Sequence, residues 1–183
     1  MIIKAAETCP DLILIGLMGS GKSSIGRRLA AHLSLPLIDL DATIVTESGL
    51  SIPEIFTQQG ETGFRKLETE TLRKAIAQHA VIATGGGVVL SQENRTLLKE
   101  NNAPVVWLKA PPEFLATRIA GDANRPLIAT GNALEKLREL ADIRDPLYEE
   151  CADFVLPRDE MDKQQAMKVI VRFMTSYKDP IHR

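Results

Sequence analysis

The chain has 183 residues, 44% of them hydrophobic and 25% charged, the proportions of a globular protein long enough to bury a core in one domain. A net charge of −2 gives no basic footprint for nucleic acid or an anionic membrane surface, so any anion must be held by local geometry. Aromatic residues make up only 4%, which leaves aliphatic side chains to fill the core.

In the N-terminal stretch Glu7, Pro10 and Asp11 interrupt any apolar run before a signal sequence can develop. No segment approaches the roughly 20 apolar residues of a membrane span. Cys9 and Cys151 fit no CxxC or metal-ligand spacing and read as reduced thiols. The expectation is a soluble, unprocessed, cytoplasmic protein. His32, His79 and His182 share no cluster with carboxylates or cysteines and read as structural or surface residues.

Leu12–Ile15 is an apolar run of strand length, and an amphipathic helical pattern follows at Lys22–Leu33. Between them Gly16-Leu-Met-Gly-Ser-Gly21-Lys22-Ser23 satisfies GxxxxGK[ST] in the strand-then-helix context that this phosphate-binding loop requires. Its glycines let backbone N–H groups curl round phosphates, the helix start adds partial positive charge, Lys22 reaches the β- and γ-phosphates, and the Ser23 hydroxyl suits Mg²⁺. The bland alternative is a glycine-rich turn that holds nothing. The chain contains neither NKxD for guanine nor a DxxG switch, which argues against a GTPase, and it is short for a motor ATPase.

A second strand at 37–38 leads into Asp39 and Asp41, two carboxylates at i and i+2, which on a strand share one face at the carboxyl edge where open α/β sheets bind ligands. Asp39 then suits Mg²⁺ or its waters, and Asp41 an acceptor hydroxyl whose proton it takes. The alternative is a strand exit with Asp41 capping the next helix. Residues 43–78 read as a helical insertion, opened by the capping box Ser51-Ile-Pro-Glu54 and continued by a helix over 64–78. Phe56 and Phe64 are apolar walls or core. Arg65 is a carboxylate-binding guanidinium or a solvated helix residue paired with Glu68.

The third strand, Val81–Ala83, runs into Thr84 and then Gly85, Gly86 and Gly87, where many phosphate-loop proteins carry an acidic residue. Three glycines there allow a ligand close to the backbone, or simply a tight turn. Ser91 is placed to cap a helix at Gln92–Glu100, and a fourth strand spans 105–108. Pro112 opens a helix at Pro112–Ile119. The glycine-flanked stretch 121–131, with Arg125 and Pro126 in its middle, has the composition of a lid. A helix over 133–150 carries Arg144, whose alternatives are again a carboxylate partner or a surface pair with Glu149. A strand at 154–156 and a helix at Lys163–Tyr177 complete five strands of a parallel sheet covered on both faces.

The loop GLMGSGKSS, the pair Asp39 and Asp41, the segment Gly63-Phe-Arg-Lys-Leu-Glu68, the triple glycine, Arg125-Pro-Leu127 and Arg144-Asp-Pro-Leu-Tyr148 together resemble shikimate kinase in order and spacing. The resemblance implies an α/β P-loop NTPase fold of the nucleoside-monophosphate-kinase type, one kinase domain over 1–183, with a substrate-binding insertion at about 43–78 and a lid at about 121–131. It implies a monomer that binds ATP, Mg²⁺ and shikimate. Gly19, Ser20, Gly21, Lys22, Ser23 and Ser24 would hold the phosphates, with Ser23 and Asp39 serving the metal. Asp41, Lys22 and Arg125 would be catalytic. Asp41, Arg65, Gly86, Gly87 and Arg144 would hold shikimate, while Arg118 and Arg125 would reach the nucleotide. The family's second adenine wall, after the last strand, has no clean counterpart in Pro157-Arg158-Asp159. A gluconate or nucleoside-monophosphate kinase of the same fold is the rival enzyme. A nucleotide-dependent scaffold is the rival of another class, disfavoured by Asp41, Arg65, Arg125 and Arg144 occurring together.

Overall fold

A computed structural model describes residues 11–119 and 132–177. The elements in chain order are β1 (Leu12–Ile15), α1 (Lys22–Leu33), β2 (Leu37–Asp39), α2 (Leu40–Ser48), α3 (Ile52–Ala75), β3 (Val81–Ala83), a short 3₁₀ turn (Val88–Leu90), α4 (Gln92–Glu100), β4 (Val105–Lys109), α5 (Pro112–Ile119), α6 (Ala133–Cys151), β5 (Phe154–Pro157) and α7 (Lys163–Tyr177). All five strands pair in parallel, in the order β2-β3-β1-β4-β5. The strand before the phosphate loop is therefore central, and the chain winds to both sides of it. In such a sheet the ligand crevice lies beyond the carboxyl ends of the strands where the winding reverses.

Side-chain alternation along the strands builds two cores. Ile13, Ile15, Ile82, Val105 and Trp107 pack on one face with residues from α3, α4, α5 and α6. Leu12, Leu14, Val81, Val106, Leu108 and Leu156 pack on the other against α1 and α7. Every residue of β1 is buried, as expected of a central strand covered on both faces.

Two expectations need correction. The strand does not continue through Asp41: β2 ends at Asp39, whose side chain accepts the Ala42 N–H at 3.3 Å and caps α2, and Asp41 lies in the first helical turn. A carboxylate that can cap stops the strand where the sequence allows a helix, so the cap is Asp39 and not Asp41. Helix α2 starts at Leu40, three residues before the expected insertion, and the two helices expected from Ser51 and over 64–78 both form within Ile52–Ala75, separated by a non-helical kink at Gly60 (φ 68°, ψ −178°), the second ending at Ala75 rather than at 78. The capping box forms as read, with Glu54 carboxylate accepting the Ser51 N–H at 2.7 Å. Ile44, Ile55 and Phe64 give this insertion its own small core. The expected lid at 121–131 lies outside the described residues, as do Cys9 and Arg125.

Candidate active site

The carboxyl edge of the sheet opens into a cavity of about 830 Å³ with two chemically different walls. One wall is the phosphate loop. Gly21, at φ 99°, ends the loop in a left-handed conformation that suits glycine, and α1 begins at Lys22 with no side-chain cap. The first N–H groups of that helix are thus directed at the cavity, which Gly19, Gly21, Lys22, Ser23 and Ser24 line. The Lys22 ammonium, mostly buried, donates to the carbonyls of Gly16 at 2.7 Å and Leu17 at 3.0 Å. Ser20 is fully buried, and its N–H donates to the Leu17 carbonyl at 3.3 Å. Arg118, exposed on α5, lines the same wall.

The second wall comes from α2, α3, the glycine turn and α6. Arg65 lies flat against Gly87: a Cβ there would fall 2.3 Å from its Nη1 and 2.4 Å from its Nη2. The guanidinium is held from behind by Glu68, at 2.7 Å, one turn along α3. This is the pairing expected of a bland helix arginine, but Glu68 is fully buried and Arg65 faces the cavity. A Cβ on Gly85 would meet Glu68 Oε1 at 2.7 Å and Asp41 Oδ1 at 2.8 Å, so two carboxylates converge on that glycine. Burial raises the Glu68 carboxyl above its ordinary range, Asp41 adds to this, and Arg65 and Arg144 oppose it.

Arg144 does not pair with Glu149. It is buried, and its Nη1 donates to the Gly86 carbonyl at 3.0 Å, where the Tyr148 hydroxyl also donates. Its Nε is buried with no hydrogen-bond partner, a donor suited to an anionic ligand. Phe64 is core and Phe56, 4.8 Å from it, is half-buried beside the cavity, so both readings of that pair hold. Of the sequence candidates, the described ones converge here except Ser20 and Asp39, neither of which lines the cavity. Glu68 and Tyr148 were not singled out as site residues. The i+3 spacing to Arg65 was visible in the sequence, but its burial was not.

The family model for shikimate kinase matches residues 18–175. A shikimate kinase from Neisseria meningitidis serogroup C is 48% identical over 146 residues, 79% of this chain and 85% of that one. A solved structure described as shikimate kinase from Acinetobacter baumannii in complex with shikimate superposes with a TM-score of 0.88 at 39% identity, covering 94% of this chain and 96% of the other. A gluconokinase from Sinorhizobium meliloti, at 16% identity, TM-score 0.58 and coverage of 93% and 96%, shares the fold alone. The match includes both walls of the cavity, and on it the chain belongs to the shikimate kinase family.

Proposed function

We propose that the chain transfers the γ-phosphate of ATP to the 3-hydroxyl of shikimate, giving shikimate 3-phosphate and ADP in the shikimate pathway of aromatic amino-acid biosynthesis. The observation that carries this reading is one cavity with a phosphate loop on one side and, on the other, two arginines, a carboxylate and a glycine turn. Arginine forks suit a planar carboxylate better than a neutral polyol, which favours shikimate over gluconokinase-type or nucleotide acceptors.

In this reading Gly19, Ser20, Gly21, Lys22, Ser23 and Ser24 hold the phosphates, the Ser20 N–H leaving the Leu17 carbonyl to do so. Lys22 leaves the Gly16 and Leu17 carbonyls for phosphate oxygens of higher charge, and Arg118 lies along the nucleotide. Arg65, Arg144, Gly86 and Gly87 take the shikimate carboxylate and ring hydroxyls. Asp41, beside Gly85, orients the attacking hydroxyl and accepts its proton. Arg125 reaches the transferred phosphoryl group from the segment 121–131, which excludes water so that ATP is not hydrolysed.

The site suits Mg²⁺ as a resident cofactor. Ser23 is exposed at the cavity, and Asp39, at the carboxyl end of β2 but outside the cavity lining, commits Oδ1 to its cap, so that Oδ2 would serve waters of the metal. Mg²⁺ keeps several waters and takes phosphate oxygens, so it needs no all-protein cage, and among the described residues no group of three or more His, Cys, Asp or Glu forms one. Bound there, it would neutralise phosphate charge. We read 1–183 as one monomeric, cytoplasmic kinase domain with a substrate-binding insertion and a lid. No helix among the described residues is long and apolar enough to cross a membrane.

A coupled ADP-release assay over shikimate, gluconate, AMP and CMP tests the reading. Turnover should require ATP, Mg²⁺ and shikimate, and turnover of another acceptor in its place would overturn it.

A further inference from the structure

Against the phosphate loop, outside the cavity lining, lies an arginine that the chemistry above does not use. Arg158 follows β5, and its backbone N–H donates to the Lys109 carbonyl at 2.7 Å, which fixes its Cα at the sheet edge. Its side chain runs inward and is only 1% exposed. A buried guanidinium must find acceptors for its N–H groups. Nε donates to the Ser20 carbonyl at 3.3 Å, and Nη1 donates to the Met161 carbonyl. Among the described residues it forms no ion pair. Burial and the neighbouring charge of Arg118 hold the guanidinium below its ordinary pKa, while Asp162 and Asp159 oppose them. The two cations meet at the start of α1: a Cβ on Gly21 would lie 3.7 Å from Arg118 Nη2 and 3.9 Å from Arg158 Nε.

The Ser20 carbonyl and the Gly21 N–H belong to one trans peptide, so they point in opposite directions. Holding the carbonyl on Arg158, which does not line the cavity, turns the Gly21 N–H toward the cavity that Gly21 lines. Rotation of that peptide is otherwise cheap, because glycine accepts either sign of φ. A flipped peptide would present a carbonyl oxygen to the phosphates in place of a donor.

We propose that Arg158 is a positioning residue of the nucleotide site, which by holding the Ser20 carbonyl sets the Gly21 amide toward the phosphates and places a second positive charge behind the start of α1. The proposal rests on the nucleotide reading of the loop. It makes Arg158 matter for polyphosphate binding and not for shikimate, whose wall is built from other elements.

The test is calorimetric binding of ADP, of inorganic tripolyphosphate and of shikimate, each alone, to the wild-type chain, Arg158→Met and Arg158→Lys, with steady-state kinetics alongside. Losing a charge-assisted bond of this kind corresponds to a change of about ten-fold or more in affinity. Arg158→Met should weaken ADP and tripolyphosphate by that factor and raise the MgATP KM in step. Shikimate affinity and kcat at saturation should stay within about three-fold. Arg158→Lys should recover part of the loss, because an ammonium keeps the charge but cannot span two carbonyls. ADP affinity unchanged in Arg158→Met overturns the proposal, as does an equal loss for shikimate, which would mark general damage. Weakened ADP with normal tripolyphosphate would overturn it too, by placing the effect at the base or ribose. If Arg158→Met does not fold, Arg158→Lys carries the same test at about three-fold, with unchanged ADP affinity again the overturning result. Failure of the wild-type chain to bind ADP would sink the nucleotide reading itself and the proposal with it.

Discussion

A guanidinium lying on a glycine is the tightest contact at the substrate wall, and it separates steric from backbone demands on that glycine. Gly87 has φ −100° and ψ 0°, which alanine adopts without strain, yet a Cβ would fall 2.3 Å from Arg65 Nη1. Gly87→Ala should therefore fold normally and displace Arg65, lowering kcat/KM for shikimate by roughly ten- to a hundred-fold while ADP binding is unchanged. Wild-type kinetics in that variant would show that Arg65 does not need its seat on the glycine. Asp41→Asn should lower kcat by about 10²–10⁴-fold with little change in the MgATP KM, and a loss under ten-fold would reduce Asp41 to a helix-start residue. Glu68 adds a pH dependence. Its carboxyl is raised by burial and by Asp41, so it takes a proton at a pH where ordinary carboxylates are still ionised, and the neutral acid holds Arg65 more weakly. The shikimate KM should rise as pH falls toward the ordinary carboxylate range. Glu68→Gln should show the raised KM throughout and lose that dependence; a variant that kept the wild-type profile would assign the titration to another group.

Helix α3 illustrates what an element's sequence discloses and what it conceals. Its start was legible because a capping box is a local device spanning four residues, and Ser51 and Glu54 form it. Its division was legible too: the sequence predicts separate helices from Ser51 and over 64–78, and Gly60, at non-helical φ and ψ, separates them before the second delivers Arg65 and Glu68 to the cavity. The phosphate loop was legible for the same local reason. The alternative helix cap at Asp41 falls instead at Asp39, because a carboxylate two residues earlier already meets the Ala42 N–H and starts α2 at Leu40. Tyr148 and Arg158 stood inside quoted motifs without a role, because their roles depend on carbonyls 62 and 138 residues away. The bend itself is testable. Gly60 lies at φ 68° and ψ −178°, a region open essentially to glycine, and nothing lies within 4 Å of a Cβ built there. Gly60→Ala should therefore cost about 1–3 kcal/mol in denaturant unfolding from backbone strain alone. No loss would mean that the bend is not fixed by the fold.

At the scale of the whole molecule, the sheet order brings the two walls together from different segments of the chain. The central strand β1 carries the phosphate loop, while the substrate wall hangs on the insertion between β2 and β3 and on α6. Five parallel strands were legible from alternating apolar runs; their order was not, because it is set by crossovers that leave no local mark. This division gives the sharpest test of the acid substrate. If Arg65 and Arg144 together hold a carboxylate, truncating either leaves a charge poorly compensated in a closed site, at a cost of about 2–5 kcal/mol. That corresponds to a loss in kcat/KM of roughly thirty-fold to a few thousand-fold, confined to shikimate, while ADP affinity stays near wild type because the other wall is untouched. Arg65→Lys should also be impaired, since an ammonium keeps the charge but loses the planar fork. The methyl ester of shikimate provides the reciprocal measurement. Wild-type enzyme should use it poorly, and the arginine variants should discriminate less between acid and ester, because the group that tells them apart is gone. Equal use of acid and ester by the wild-type enzyme would reject the carboxylate clamp, and Arg65 would then be a support for the Gly87 turn with the acceptor recognised through its hydroxyls alone.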